Sequence, residues 1–140
     1  MRQAYRADTI GSLLRPPELL QARAAYEQGD LTDEQLHQVE DTAVLQALAL
    51  QRQVGLDVVT DGEYRRAEFR SVFDQAVEGL VQGTAPVRPG QGPETVRPAL
   101  LIGAKVRQVR RMTAHESSFL QQHASALSLL KIPSGSWAPE

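Results

Sequence analysis

Between Leu36 and Val54 the apolar residues recur at helical spacing, at Leu36, Val39, Ala43, Ala47, Leu50 and Val54. A stripe of that kind predicts an amphipathic helix with one face fit to meet a sheet. Thr32-Asp33-Glu34-Gln35 stands before it as a capping box, with Gln35 able to reach back to the Thr32 amide, and Gly55 ends it. Upstream, Pro16-Pro17 opens a shorter helix through about Gln28, because proline suits the first helical turn, and Gly29 suits its C-terminal end. Tyr5 to Ile10 fits a first short strand that ends at Gly11-Ser12. Leu56 to Thr60, a β-branched run between Gly55 and Asp61-Gly62, reads as a second strand.

Further on, Phe69, Val72, Phe73, Ala76, Val77 and Leu80 share one side of a helix predicted over Ala67 to Leu80. Residues 81–98 hold Pro86, Pro89, Pro93 and Pro98 with Gly83, Gly90 and Gly92, and are expected to form a Pro/Gly-rich loop. Ala99 to Val109 has strand character, with a hairpin pivot near Gly103-Ala104. Thr113 to Glu116 forms a second capping box, opening a helix to about Leu127, and Leu129 to Ile132 reads as a third main strand. Strand, helix, strand, helix, strand is βαβ organisation, so the expected class is α/β with a parallel sheet.

The chain has 140 residues, which makes it one domain or part of one. A net charge of −2 gives no general attraction to nucleic acid or anionic lipid. Lys105, Arg107, Arg110 and Arg111 form a basic cluster, but no interleaved aromatics make it a base-stacking platform, and it reads as a solvated face. With no cysteine, disulfides and thiolate metal sites are excluded within the chain. His37, His115 and His123 lack metal-ligand spacing and read as ordinary helix residues. No run approaches the ~18 apolar residues of a membrane span, and the N-terminus has no apolar signal stretch, so a cytoplasmic protein is expected.

Asp61-Gly62-Glu63 is the best local candidate for chemistry. Glycine lets the backbone turn sharply, and a carboxylate at Glu63 could hold a substrate ammonium through a charge-assisted hydrogen bond. The plain alternative is a strand-ending Asp-Gly turn with a solvated glutamate. Ile10-Gly11-Ser12 offers backbone amides after a strand, with no side chain at Gly11 to block a carboxylate or phosphate. An amide nest and a carboxylate at neighbouring strand ends could together hold the two charged ends of an α-amino acid. Arg15, Arg65 and Arg66 lie just beyond these turns, with Arg15 and Arg66 candidates for binding an anion; solvation or pairing with nearby acids is the alternative.

In order, RADTIGSLLRPPELLQAR, an acidic helix with VED, GLDVVTDGEYRR and LLKIPSGSW resemble the N-terminal part of the cobalamin-independent methionine synthase family. The likeness is to the stand-alone single-barrel members related to that enzyme's C-terminal catalytic domain. It implies the N-terminal part of a (β/α)8 TIM barrel, truncated after about the third main strand, because a closed barrel needs about 250 residues. It also implies methyl transfer from methyl-tetrahydrofolate to the thiol of homocysteine, with the amino acid held by Ile10, Gly11, Ser12 and Glu63. The family binds zinc through a histidine, cysteines and a glutamate on later strands, which this chain is not expected to supply, so alone it is expected to be inactive.

Two departures stand out. Relatives often carry a histidine where this chain has Thr9, and an aromatic with a further histidine where it reads AEFRSVFDQ. Rival readings are a related barrel acting on another thiol such as coenzyme M, a tetrapyrrole decarboxylase, and a non-catalytic half-barrel. The expected partner is a small homocysteine-like thiol, with self-association through an exposed sheet edge, and neither nucleic acid nor membrane.

Overall fold

The computed structural model describes residues 7, 9–67, 71–86, 96–124 and 127–128. In chain order these form α1 (Pro17–Glu27), α2 (Asp33–Gln53), β1 (Val58–Val59), α3 (Ser71–Ala76), β2 (Val77–Pro86), β3 (Val96–Gln108), α4 (Ala114–His123) and β4 (Leu127–Ser128). The fold is mixed α/β. Two compact units divide it, one made of Met1–Glu68 with Thr113–Glu140 and the other of Phe69–Met112.

In the first unit the local signals act as their chemistry dictates. Pro17 starts α1, and Gly29, at a φ of 82°, follows its C-cap. The Thr32 capping box is closed in both directions, Gln35 N donating to Thr32 Oγ1 at 3.3 Å and Thr32 N to Gln35 Oε1 at 2.8 Å. The core gathers Leu19 of α1, Ala43, Val44, Ala47 and Leu48 of α2, Val59, Tyr64, and Phe119 and Leu120 of α4. The buried face of α2 runs Leu36, Glu40, Ala43, Val44, Ala47, Leu48 and Gln51. Leu50 and Val54, expected on that face, are exposed. Two polar residues take the buried line instead, because their head groups find partners there.

β1 pairs with β4 in parallel, Val58 opposite Leu127 and Val59 opposite Ser128. Ala7 lies against the start of β1: its N donates to Asp57 Oδ2 at 2.8 Å and its carbonyl accepts from Asp57 N at 3.1 Å and Val58 N at 3.2 Å. Half of the expected first strand, residues 5, 6 and 8, lies outside the described residues, and Ala7, Thr9 and Ile10 are not in a strand. The expected third strand at Leu129 to Ile132 also lies outside them. The second expected capping box is corrected: Thr113 precedes α4 without a side-chain cap bond. The helix also ends at His123 rather than Leu127.

The second unit departs most from expectation. The helix predicted to Leu80 stops at Ala76, and Val77 begins a strand. Gly79, at a φ of 95°, has no place in a continuing helix. Residues 81–86 and 96–98, expected as loop, belong to β2 and β3, which pair antiparallel from Val77–Gln108 to Pro86–Val96. Residues 87–95 lie outside the description. Gly103 and Ala104 do not form a turn; they sit inside β3 beside the register shift between Glu78 and Leu80. Both side chains of the register pair Leu80–Ile102 face one side of the ribbon, and those of Val81–Leu101 the other.

Candidate functional site

The site is built where β1 runs out. Thr60 follows β1 with its backbone saturated by one side chain: Thr60 N donates to Gln51 Oε1 at 3.0 Å, and Gln51 Nε2 donates to Thr60 O at 2.8 Å. Gly62 N donates to Thr60 Oγ1 at 3.1 Å and Glu63 N to Asp61 Oδ1 at 3.0 Å, so the turn is wrapped on its own polar side chains. Gly62 takes a φ of 67°, and a Cβ there would press on the Tyr64 ring at 3.1 Å and on Leu13 Cδ1 at 3.2 Å.

Glu63 itself has a φ of 58°, the one positive value at a non-glycine among the described residues. Left-handed backbone at such a residue costs of order 1–3 kcal/mol and persists only where the surroundings over-determine it. The residue is 7 % exposed, so it is not the solvated glutamate of a plain turn. Its Oε1 lies 3.4 Å from Arg66 Nη1 in an ion pair. Arg66 is 3 % exposed, and both its terminal nitrogens lack a hydrogen-bond partner.

The segment after Gly11-Ser12 is stitched onto this turn. Leu13 N donates to Gly62 O at 3.1 Å, and the Tyr64 hydroxyl donates to Leu14 O at 2.8 Å. Arg15 Nη2 donates to Arg66 O at 2.8 Å and to Glu63 O at 3.4 Å. The sequence candidates Gly11, Ser12 and Glu63 are thereby joined through the residues that follow the first two. The amides of Gly11 and Ser12 have no backbone partner among the described residues, and Gly11 has a φ of 85°. Ile10 is 95 % exposed.

Three supporting residues escaped the sequence reading. Gln51 lies four residues after Ala47, on the buried line of α2, and its position on that line was the available signal. Arg23 donates to Glu40 Oε1 at 2.8 Å and also to the Tyr64 carbonyl, which ties α1 and α2 to the turn. Burial pushes the Glu40 carboxyl up to about 7 against the pull of Arg23, and burial also lowers the Arg23 guanidinium. Desolvation thus outweighs attraction in this pair on both sides. Arg65 turns elsewhere, pairing with Asp41 and stacking 4.5 Å over the Phe119 ring. His115 is 3.5 Å from Asp41 and stacks on His37 at 5.8 Å. Among the described residues no group of three or more His, Cys, Asp or Glu could hold a metal ion. With no cysteine in its sequence, the chain does not contain the thiolate donors that the resemblance implies for zinc.

A family profile described as the catalytic domain of cobalamin-independent synthases matches residues 6–135. The chain belongs to that family. It is 40 % identical over 88 residues to the uncharacterised protein YxjG of Bacillus subtilis, covering 63 % of this chain and 22 % of that protein. A 5-methyltetrahydropteroyltriglutamate-homocysteine methyltransferase of Synechococcus is 32 % identical over 115 residues, 82 % of this chain and 15 % of the relative. The chain therefore spans 22 % and 15 % of the length of these two curated relatives. A solved B12-independent methionine synthase from Shewanella, in complex with selenomethionine, matches with a TM-score of 0.64 at 21 % identity, over 88 % of this chain and 36 % of that one. That last likeness is one of fold.

Proposed function

We infer that this cobalamin-independent synthase chain carries the amino-acid-holding part of a methyltransferase that moves a methyl group from methyl-tetrahydrofolate to a homocysteine-like thiol. The single observation behind this reading is the buried, left-handed Glu63, an ionisable carboxylate held just beyond the end of β1. Its carboxylate takes the substrate ammonium, and the backbone of Ile10, Gly11 and Ser12 takes the α-carboxylate. Of the two candidate arginines for an anion, Arg15 has its Nη2 on carbonyls and Arg66 has its Nη1 beside the Glu63 carboxylate, which leaves Arg66 Nη2 as the donor to offer. In the transfer a sulfur–methyl bond forms as the folate nitrogen–methyl bond breaks; the thiol loses its proton and the folate nitrogen gains one. An ammonium-bearing thiol suits this carboxylate better than a sulfonate thiol of the coenzyme M type, which brings a second negative charge. In the same reading β1 and β4 are neighbouring strands in the N-terminal part of a (β/α)8 barrel, working in the cytoplasm.

The test is homocysteine affinity by isothermal titration of the 140-residue chain and its Glu63→Gln variant. Losing a hydrogen bond to a charged group costs roughly 1.5–3 kcal/mol, so affinity is expected to fall about tenfold to hundredfold. Glu34→Gln, in the exposed first turn of α2, is the matched control and should do almost nothing. Equal affinity in parent and Glu63→Gln overturns the assignment.

A further inference from the structure

We propose that Arg15 is a positioning residue for Glu63: it clamps the backbone of the turn from outside and so aims the carboxylate. This rests on the reading of Glu63 as the ammonium-holding group. The left-handed conformation at Glu63 has to be imposed, and the bonds that impose it are few. From within the turn, Glu63 N is held by Asp61 Oδ1, and Glu63 O accepts from Arg66 N at 3.2 Å. From outside, Arg15 is the side chain that reaches the Glu63 carbonyl among the described residues, and it reaches the Arg66 carbonyl too. One guanidinium thus grips carbonyls at both ends of Glu63–Arg66, the stretch that also carries the Glu63–Arg66 ion pair. Both bonds leave from the one Nη2, whose two hydrogens serve the two carbonyls, the shorter to Arg66 O and the longer to Glu63 O.

The mechanism is geometric. The backbone angles of residue 63 fix the direction of its Cα–Cβ bond and hence where the carboxylate lies. Without the clamp, the residue relaxes toward the right-handed or extended regions that L-residues prefer, and the carboxylate leaves its present place beside Arg66. Arg15 touches no substrate in this account. Its donors go to the protein backbone, and its effect reaches the ligand through Glu63 alone.

Two measurements on the full 140-residue chain decide it. The first needs no ligand: a residue with positive φ gives a strong intraresidue amide–Hα nuclear Overhauser effect. That signal at Glu63 is expected in the parent, partly kept in Arg15→Lys and weakened in Arg15→Met, with the rest of the amide spectrum still dispersed. An unchanged Glu63 signal in Arg15→Met overturns the clamp. The second compares homocysteine with 4-mercaptobutanoate, which lacks the amine. Arg15→Met is expected to weaken homocysteine about tenfold and the desamino thiol less than about twofold. In a Glu63→Gln background the Arg15 substitution should add almost nothing, the signature of two residues acting as one. Equal losses for both ligands, or additive losses in the double variant, overturn the proposal. A parent that binds the two thiols equally sinks the reading of Glu63 instead, while the spectroscopic arm still decides the clamp.

Discussion

Gln51 closes both backbone groups of Thr60, accepting from its N–H at 3.0 Å and donating to its carbonyl at 2.8 Å, with both residues buried. A side-chain amide here imitates the neighbouring strand that Thr60 would otherwise need, and it fastens the start of the turn to α2. Gln51→Leu keeps similar volume but leaves a buried N–H and C=O unpaired, each costing about 1–3 kcal/mol. Urea denaturation should show a loss of about 2 kcal/mol or more. A loss below about 0.5 kcal/mol, the level of an ordinary surface change, would show that water or another group takes over.

Glu40 should give the chain an unusual pH dependence. Its carboxyl stands near 4.5 when unperturbed and near 7 in the folded protein, with burial as the main cause. The folded state therefore holds this proton over a window where the unfolded chain has released it. Its stabilising contribution is complete below about 4.5 and disappears as pH rises through about 7. The size is on the order of 2 kcal/mol once solvent screening is allowed for. Glu40→Gln should flatten the stability profile between those limits relative to the parent; parallel profiles would contradict the assignment.

Gly79 and Gly83 should respond differently to alanine. A Cβ at Gly79 would meet the Lys105 carbonyl oxygen at 2.8 Å, and its φ of 95° is unfavourable for any L side chain. At Gly83 the first obstacle is the tip of Leu101, at 2.5 Å, which can rotate away. Gly79→Ala should cost the ribbon about 1 kcal/mol or more, read as faster amide exchange along β2 and β3, and Gly83→Ala much less. Equal effects would count against the bulge geometry.

The ribbon should also drive self-association. Val96 and Ile102 are strongly exposed on β3, and Val81 and Leu101 stand half exposed on the opposite face from Ile102. Isolated two-stranded ribbons are marginal in water, and exposed strand edges recruit partners. Light scattering is expected to show concentration-dependent oligomers, reduced in Ile102→Lys. A monomer at all concentrations, in parent and variant alike, would remove this surface from consideration.

What the sequence disclosed was mostly local. The Thr32–Gln35 capping box spans three residues and forms as written, and Pro17 and Gly29 bound α1 where their backbone preferences put them. Asp61-Gly62 was legible as a turn. That the next residue is buried with positive φ was not, because it depends on Arg15 and Arg23 reaching in from distant positions and on Tyr64 reaching out to Leu14. Glu40 and Gln51 were hidden by their residue type: long polar side chains read as solvent-facing until their partners are known. The ribbon was misread for a different reason. Val72, Phe73, Ala76, Val77 and Leu80 satisfy a helical period, while the pairing that makes Val77 and Leu80 strand residues lies beyond residue 100.

The parallel contact between β1 and β4 joins residues about seventy positions apart, with the whole second unit spliced into the interval. Closing so long a loop carries an entropic penalty that neighbouring pieces do not face, although each doubling of length adds only about 0.6 kcal/mol. The α1–α2 pair and the β2–β3 ribbon can each assemble from short-range encounters, whereas Val58 has to wait for Leu127. The order of events in folding is thereby set by topology: helices and ribbon early, the β1–β4 junction late. The turn that starts one residue beyond β1 matures on that same late timetable, so refolding followed at Glu63 should lag behind refolding followed in α2.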